Sequence, residues 1–168
     1  PFSDDFKAHF LGTHFFNPPR YMKLVEVIPT EWTKPEISCQ MFGFLDERLG
    51  QGVVAPQDEP NFIANRVGTF GMMATVHEML EMGFTPTEVD QMTGKAIGHA
   101  KSATFRTSDL VGLDVLAHVN RNLYPAIPND EDREAFKIPE VIEKMLEKNI
   151  LGDKTGGGFF KKSTDDEG

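Results

Sequence analysis

The sequence predicts a mainly α chain in which a short β portion is followed by a helical domain. Residues 10–16 (FLGTHFF) and 24–28 (LVEVI) are short and rich in aromatic or β-branched side chains, as strands are. From Pro35 onward the apolar residues recur at intervals of three and four, the period of one helical face. Prolines, glycines and capping residues punctuate that region at helical lengths. With 168 residues, the chain has room for one domain, or for one domain and part of another.

Residues 17–20 (NPPR) are turn material, so the two extended segments are expected to pair as an antiparallel hairpin. Residues 33–36 (TKPE) offer a hydroxyl cap, an early proline and an acidic first turn, which predicts a helix running to Leu49 and stopping at Gly50. A short extended piece, residues 53–55, ends at Pro56. The longest predicted helix covers residues 61–82 and ends at Gly83, with Ile63, Val67, Phe70, Met73, Val76 and Leu80 on one face. Its other faces are scarcely more polar, which points to burial against several neighbours or in a subunit interface. Thr85 and Glu88 form a capping-box pattern for a helix ending near Gly98. A further helix is predicted from Ser108 to about Tyr124, and a last amphipathic one over residues 138–150. Gly156, Gly157 and Gly158 read as a tight turn before a short terminal strand.

The formal charge of −9 argues against nucleic acid or an anionic membrane as the main partner, because both call for a basic surface. No apolar run approaches the ~18 residues that would span a bilayer. The single cysteine, Cys39, cannot form an internal disulfide and is expected as a buried small hydrophobe. Together these features lead us to expect a soluble, cytoplasmic protein. The eight methionines are expected to fill a core.

Among residues that could carry chemistry, His14 and Glu26 stand out. Both lie six residues from Arg20, so a hairpin centred there sets them opposite one another. Cross-strand partners come within about 4.5–5.5 Å at Cβ, close enough for a carboxylate to bind one imidazole nitrogen and leave the other as a general base. The plainer alternative is that Glu26 points to solvent on an edge strand. Asn17 precedes two prolines, and a turn explains it equally well. Asn65 lies one turn into an apolar helix where asparagine has poor propensity, so it is either a buried structural hydrogen-bonding group or part of a site. His77, His99 and His118 are widely separated and have no metal-ligand spacing, so no metal is expected. The three glycines at 156–158 have the wrong spacing for a dinucleotide fingerprint and do not open a helix.

The run from His14 to Ile28 (HFFNPPRYMKLVEVI) strongly resembles the signature of the NAD-dependent 3-hydroxyacyl-CoA dehydrogenases of fatty-acid β-oxidation. Residues 58–66 (DEPNFIANR), 109–114 (DLVGLD) and 154–160 (KTGGGFF) resemble later landmarks of that family in the same order. The ending and residues 107–122 are most similar to the dehydrogenase portion of fused multifunctional β-oxidation proteins.

The resemblance implies a helical 6-phosphogluconate-dehydrogenase-C-terminal-like domain preceded by a short β remnant of a Rossmann domain. The expected division is residues 1–29 for the trailing β segments, 30–162 for the helical domain and 163–168 for a polar tail. It implies oxidation of the 3-hydroxyl of an acyl-CoA to a ketone, with NAD as cofactor. His14 matches the general base, Glu26 its carboxylate partner, Asn65 a further catalytic-site amide, and Asn17 a group that positions substrate and nicotinamide. A homodimer through the helical domain is implied as well. The family's glycine-rich NAD loop has no counterpart in these residues, so the chain by itself is expected to be inactive. The competing expectation is a non-catalytic dimerisation or partner-binding module that keeps the signature.

Overall fold

The computed structural model describes residues 2–161. The expected polar tail at 163–168 lies outside them. The described residues divide into two compact units, with the boundary between Ala64 and Asn65.

The first unit opens with a helix that the β reading of residues 1–29 did not anticipate, α1 (Asp4–Ala8), whose Ser3 Oγ accepts the Phe6 N–H at 3.1 Å. Next come β1 (Leu11–Phe15) and β2 (Leu24–Pro29), then α2 (Pro35–Gly43) and β3 (Gly52–Val54). The sheet order is β1-β2-β3. β1 and β2 are antiparallel in the register set by the short connection, with Leu11 opposite Pro29 and Phe15 opposite Val25. β3 runs parallel to β2.

α2 continues as a π-helical turn (Phe44–Arg48) rather than as regular helix to Leu49, and Gly50 follows at φ +65°. Its cap is Lys34, without a side-chain bond. Thr33, the expected cap, instead donates its hydroxyl to the Phe10 carbonyl at 2.6 Å.

β2 is buried on both faces. Side chains alternate along a strand, so Val25 and Val27 share one face and Glu26 and Ile28 the other. Val25 and Val27 pack with Leu45, Met41, Phe42 and Val53. Glu26 is thereby turned away from this apolar cluster and toward β1's His14.

The second unit is helical. α3 (Ala64–Met82) begins three residues later than predicted, because Asn61 and Phe62 both have positive φ. Its buried stripe is Thr69, Met73, Val76 and Met79, whereas Val67 is 65 % exposed and Ile63, Phe70 and Leu80 are also exposed. A helix apolar nearly all round does not encode which stripe turns inward, and that is why only part of the predicted face was right. α4 (Pro86–Thr93) carries the predicted capping box, with the Thr85 N–H donating to Glu88 Oε2 at 2.8 Å and the Glu88 N–H donating to Thr85 Oγ1 at 3.3 Å. A single 3₁₀ turn ends near Gly98.

The helix predicted from Ser108 to Tyr124 is two helices, α5 (Phe105–Val111) and α6 (Leu113–Ala126), broken at Gly112 where φ is +100°. α7 (Glu140–Glu147) is shorter than expected. Met73, Val76 and Met79 join Val89, Phe105, Leu113, Leu116 and Ile142 in the main core, and Leu123, Ile127 and Phe136 form a smaller one. Met82 and Met92 are exposed, as is Cys39 in the first unit, so neither the methionines as a set nor the cysteine is core material.

The terminal glycines form no regular strand. They fold as a turn closed by isolated bridges between Gly152 and Gly157 and between Gly157 and Lys161. The cause is Asp109, a buried carboxylate that accepts the N–H groups of Phe159 at 2.8 Å and Phe160 at 2.9 Å.

Candidate active site

His14 stands on β1 directly opposite Glu26 on β2. Its Nδ1 lies 2.7 Å from Glu26 Oε2. An ionised carboxylate only accepts hydrogen bonds, so Nδ1 carries the proton and donates it, which leaves Nε2 as the unprotonated nitrogen of the neutral ring. Nε2 has no hydrogen-bond partner among the described residues, and the His14 side chain keeps 31 % of its exposure. A base needs this combination of one nitrogen fixed and the other reachable. The imidazole has Phe16 at 4.6 Å and Phe62 at 5.8 Å between ring centroids.

Glu26 is fully buried. A carboxylate in that position is tolerable only when its lone pairs are satisfied. Oε2 takes the imidazole N–H, and Oε1 accepts the backbone N–H of Ile63 at 3.0 Å and of Ala64 at 2.9 Å. Burial pushes the carboxyl's pKa up, but the His14 hydrogen bond and the Ala64 and Ile63 amides outweigh it, so the net direction is below the ordinary carboxylate value. The solvent-facing alternative for Glu26 is therefore excluded. Sequence reasoning missed the two backbone donors. The only local sign of them was a short, turn-like Glu-Pro-Asn before an apolar helix.

Asn17 lies on the exposed turn after β1, joined to Pro18 by a cis peptide bond, and makes no side-chain hydrogen bond among the described residues. Asn65, half-buried, opens the second unit and is described there by itself, again without a side-chain hydrogen bond among the described residues. Its neighbour Arg66 pairs with Asp130. The structure thus joins two of the four sequence candidates, His14 and Glu26.

Residues 62–162 match the model of the 3-hydroxyacyl-CoA dehydrogenase C-terminal domain, and residues 4–59 match that of the 3-hydroxyacyl-CoA dehydrogenase NAD binding domain. The chain belongs to the 3-hydroxyacyl-CoA dehydrogenase family. It is 58 % identical over 160 residues to a probable 3-hydroxyacyl-CoA dehydrogenase of Bacillus subtilis, covering 95 % of this chain and 20 % of that protein. It is 48 % identical over 165 residues to a protein of the same description from Deinococcus radiodurans, covering 98 % of this chain and 47 % of the relative. Among solved structures, (S)-3-hydroxybutyryl-CoA dehydrogenase PaaH1 from Ralstonia eutropha superposes with a TM-score of 0.79 at 26 % identity, over 92 % of this chain and 53 % of that one. The chain thus spans between a fifth and about half of the length of these relatives.

For a 3-hydroxyacyl-CoA dehydrogenase chain, the fit to NAD can be tested at the glycine cluster. A dinucleotide's pyrophosphate needs free backbone N–H groups and room beside them. At Gly158 the place of a β-carbon lies 1.9 Å from Asp109 Oδ1, so a carboxylate already fills the turn and its negative charge would repel a phosphate. These glycines are not a pyrophosphate cradle. Among the described residues, no group of three or more His, Cys, Asp or Glu is arranged to hold a metal ion, and no helix is long and apolar enough to cross a membrane.

Proposed function

We propose that this chain supplies the proton-handling part of an NAD-dependent 3-hydroxyacyl-CoA dehydrogenase acting in fatty-acid β-oxidation. The observation that carries the reading is the His14–Glu26 pair, with a buried, amide-clamped carboxylate behind a partly exposed imidazole. His14 Nε2 takes the proton of the substrate's 3-hydroxyl as the C3–O bond becomes a carbonyl. The imidazolium so formed is stabilised by Glu26 through Nδ1–H. When bound, NAD supplies the acceptor for the hydride leaving C3.

Asn65 as a catalytic-site amide and Asn17 as a substrate- and nicotinamide-positioning group follow from their places in the family motifs. Acyl-CoA as substrate and NAD as cofactor come from family membership. With the glycines at 156–158 filled by Asp109 and so no pyrophosphate cradle, the 168-residue chain by itself is expected not to turn over. Self-association as a homodimer is supported by the family and by the apolar side chains that α3 leaves exposed, Val67, Leu80 and Met82. Light scattering tests it.

The test of function is NADH formation from 3-hydroxybutyryl-CoA by the full-length dehydrogenase. We expect His14→Gln to lower kcat by about 10²- to 10⁴-fold, the usual worth of a general base, with NAD binding retained. Unchanged turnover in that variant removes His14 from the mechanism and favours a non-catalytic module.

A further inference from the structure

Asn61 and Phe62 are consecutive residues in the left-handed region, at φ +63° and +52°. Asparagine tolerates this conformation, but for a bulky side chain such as phenylalanine it is an outlier, because Cβ crowds the neighbouring carbonyl oxygen. Such strain persists only where surrounding structure over-determines it, and it clusters where geometry serves function. The surroundings here are specific. The Phe62 N–H donates to the Glu59 carbonyl at 2.9 Å, pinning the bend from behind. Directly after the bend, the N–H groups of Ile63 and Ala64 converge on one oxygen of Glu26. The Phe62 ring lies 5.8 Å from the His14 imidazole, tilted by 52°. Asn61 Nδ2 is enclosed without a hydrogen-bond partner among the described residues.

We propose that Phe62 is a positioning residue for His14, acting through Glu26. Its left-handed backbone aims the Ile63 and Ala64 amides at Oε1, which fixes the carboxylate so that Oε2 is presented to Nδ1. The inference rests on the reading of His14 as the base. Extended backbone at position 62 would turn the following two N–H groups off the carboxylate. Oε1 would then be buried with nothing to offset its charge, and the carboxylate would have to rotate or take up a proton. Either change loosens the hold on the imidazole. The part played by the bend is separable from that of the ring, because different side chains tolerate the left-handed region to different degrees.

The test uses Phe62→Val, whose β-branched side chain resists the left-handed region, and Phe62→Asn, which accepts it but lacks the ring. In the 168-residue chain, NMR follows the carboxyl titration of Glu26 and the hydrogen exchange of the Ile63 and Ala64 amides. We expect Phe62→Val to raise the Glu26 titration and expose both amides, and Phe62→Asn to keep both near wild type. In the full-length dehydrogenase, Phe62→Val should lower kcat by about 10- to 100-fold with KM little changed, the scale of a small misplacement of a catalytic group. Phe62→Asn should recover most of that loss. Wild-type titration and amide protection in Phe62→Val overturn the proposal, as does their loss in Phe62→Asn. Should the valine variant not fold, Phe62→Thr, β-branched as well and so resistant to the left-handed region, takes its place with the same two outcomes. A fully active His14→Gln enzyme would end the reading of His14 as base while leaving the NMR result on the clamp standing, so the two failures are distinguishable.

Discussion

His14 and Glu26 face each other across β1 and β2 with Nδ1 and Oε2 2.7 Å apart, and the pair is asymmetric: the carboxylate is sealed from water while the imidazole is not. The sealed partner is held by main-chain amides, which cannot rotate away as a side-chain donor could. The open partner keeps one nitrogen for a reactant. This division of labour makes the effects of substitution at the two positions differ in kind.

Glu26→Gln replaces an acceptor-only group with one that also donates. If the new amide nitrogen faces Nδ1–H, two donors meet. If it faces Ile63 and Ala64, it meets two backbone donors instead. We expect a loss of about 1–3 kcal/mol in folding stability from this mismatch inside a buried site, read as a lower midpoint in urea unfolding. A midpoint within error of wild type would mean that the carboxylate's charge contributes nothing to stability here.

The same carboxylate predicts an acid dependence. Burial alone would raise the Glu26 pKa, but His14, Ala64 and Ile63 together hold it below the ordinary value of 4.5 in the folded state. A group depressed on folding stabilises the folded state fully above its unfolded value, and that contribution disappears as pH falls through the folded value. The stability difference between wild type and Glu26→Gln should therefore shrink as pH falls below about 4.5. Urea titrations at stepped pH measure it. A difference that grows as pH falls below about 4.5 would contradict the sign.

The terminal turn offers a separate test in the second unit. A β-carbon on Gly158 would lie 1.9 Å from Asp109 Oδ1, whereas at Gly156, with φ +79°, there is open space. Gly158→Ala must push Asp109 off the Phe159 and Phe160 amides, an overpacking cost of about 1–3 kcal/mol to which the lost hydrogen bonds add. Gly156→Ala meets only the left-handed backbone penalty, about 1–2 kcal/mol. Thermal unfolding should rank Gly158→Ala as clearly the more damaging. Equal melting temperatures would show that Asp109 does not bind that turn in solution.

Local signals were legible in the sequence. The hairpin register followed from a short turn centred on Arg20, which makes positions 14 and 26 partners by counting alone. The Thr85 capping box was legible because both of its members lie within four residues. The break at Gly112 was not, because the apolar repeat continues across it and only the backbone angle at that glycine divides α5 from α6. The parallel pairing of β3 with β2 and the exposure of Cys39 and Val67 were likewise hidden, since each depends on which neighbours the segment finds.

By itself the sequence determined where most helices and strands form, that His14 and Glu26 fall at opposed positions of a hairpin, and which family motifs the chain carries. These rest on interactions between residues near in sequence or joined by a short turn. Only the tertiary structure decided what makes the pair workable. The donors that stabilise the buried Glu26 come from residues 37 and 38 positions away, and the carboxylate that organises the glycine turn acts on amides 50 and 51 positions away. Backbone N–H groups are the same in every residue but proline, so the side-chain pattern of the sequence does not mark the ones that folding will bring to a buried charge.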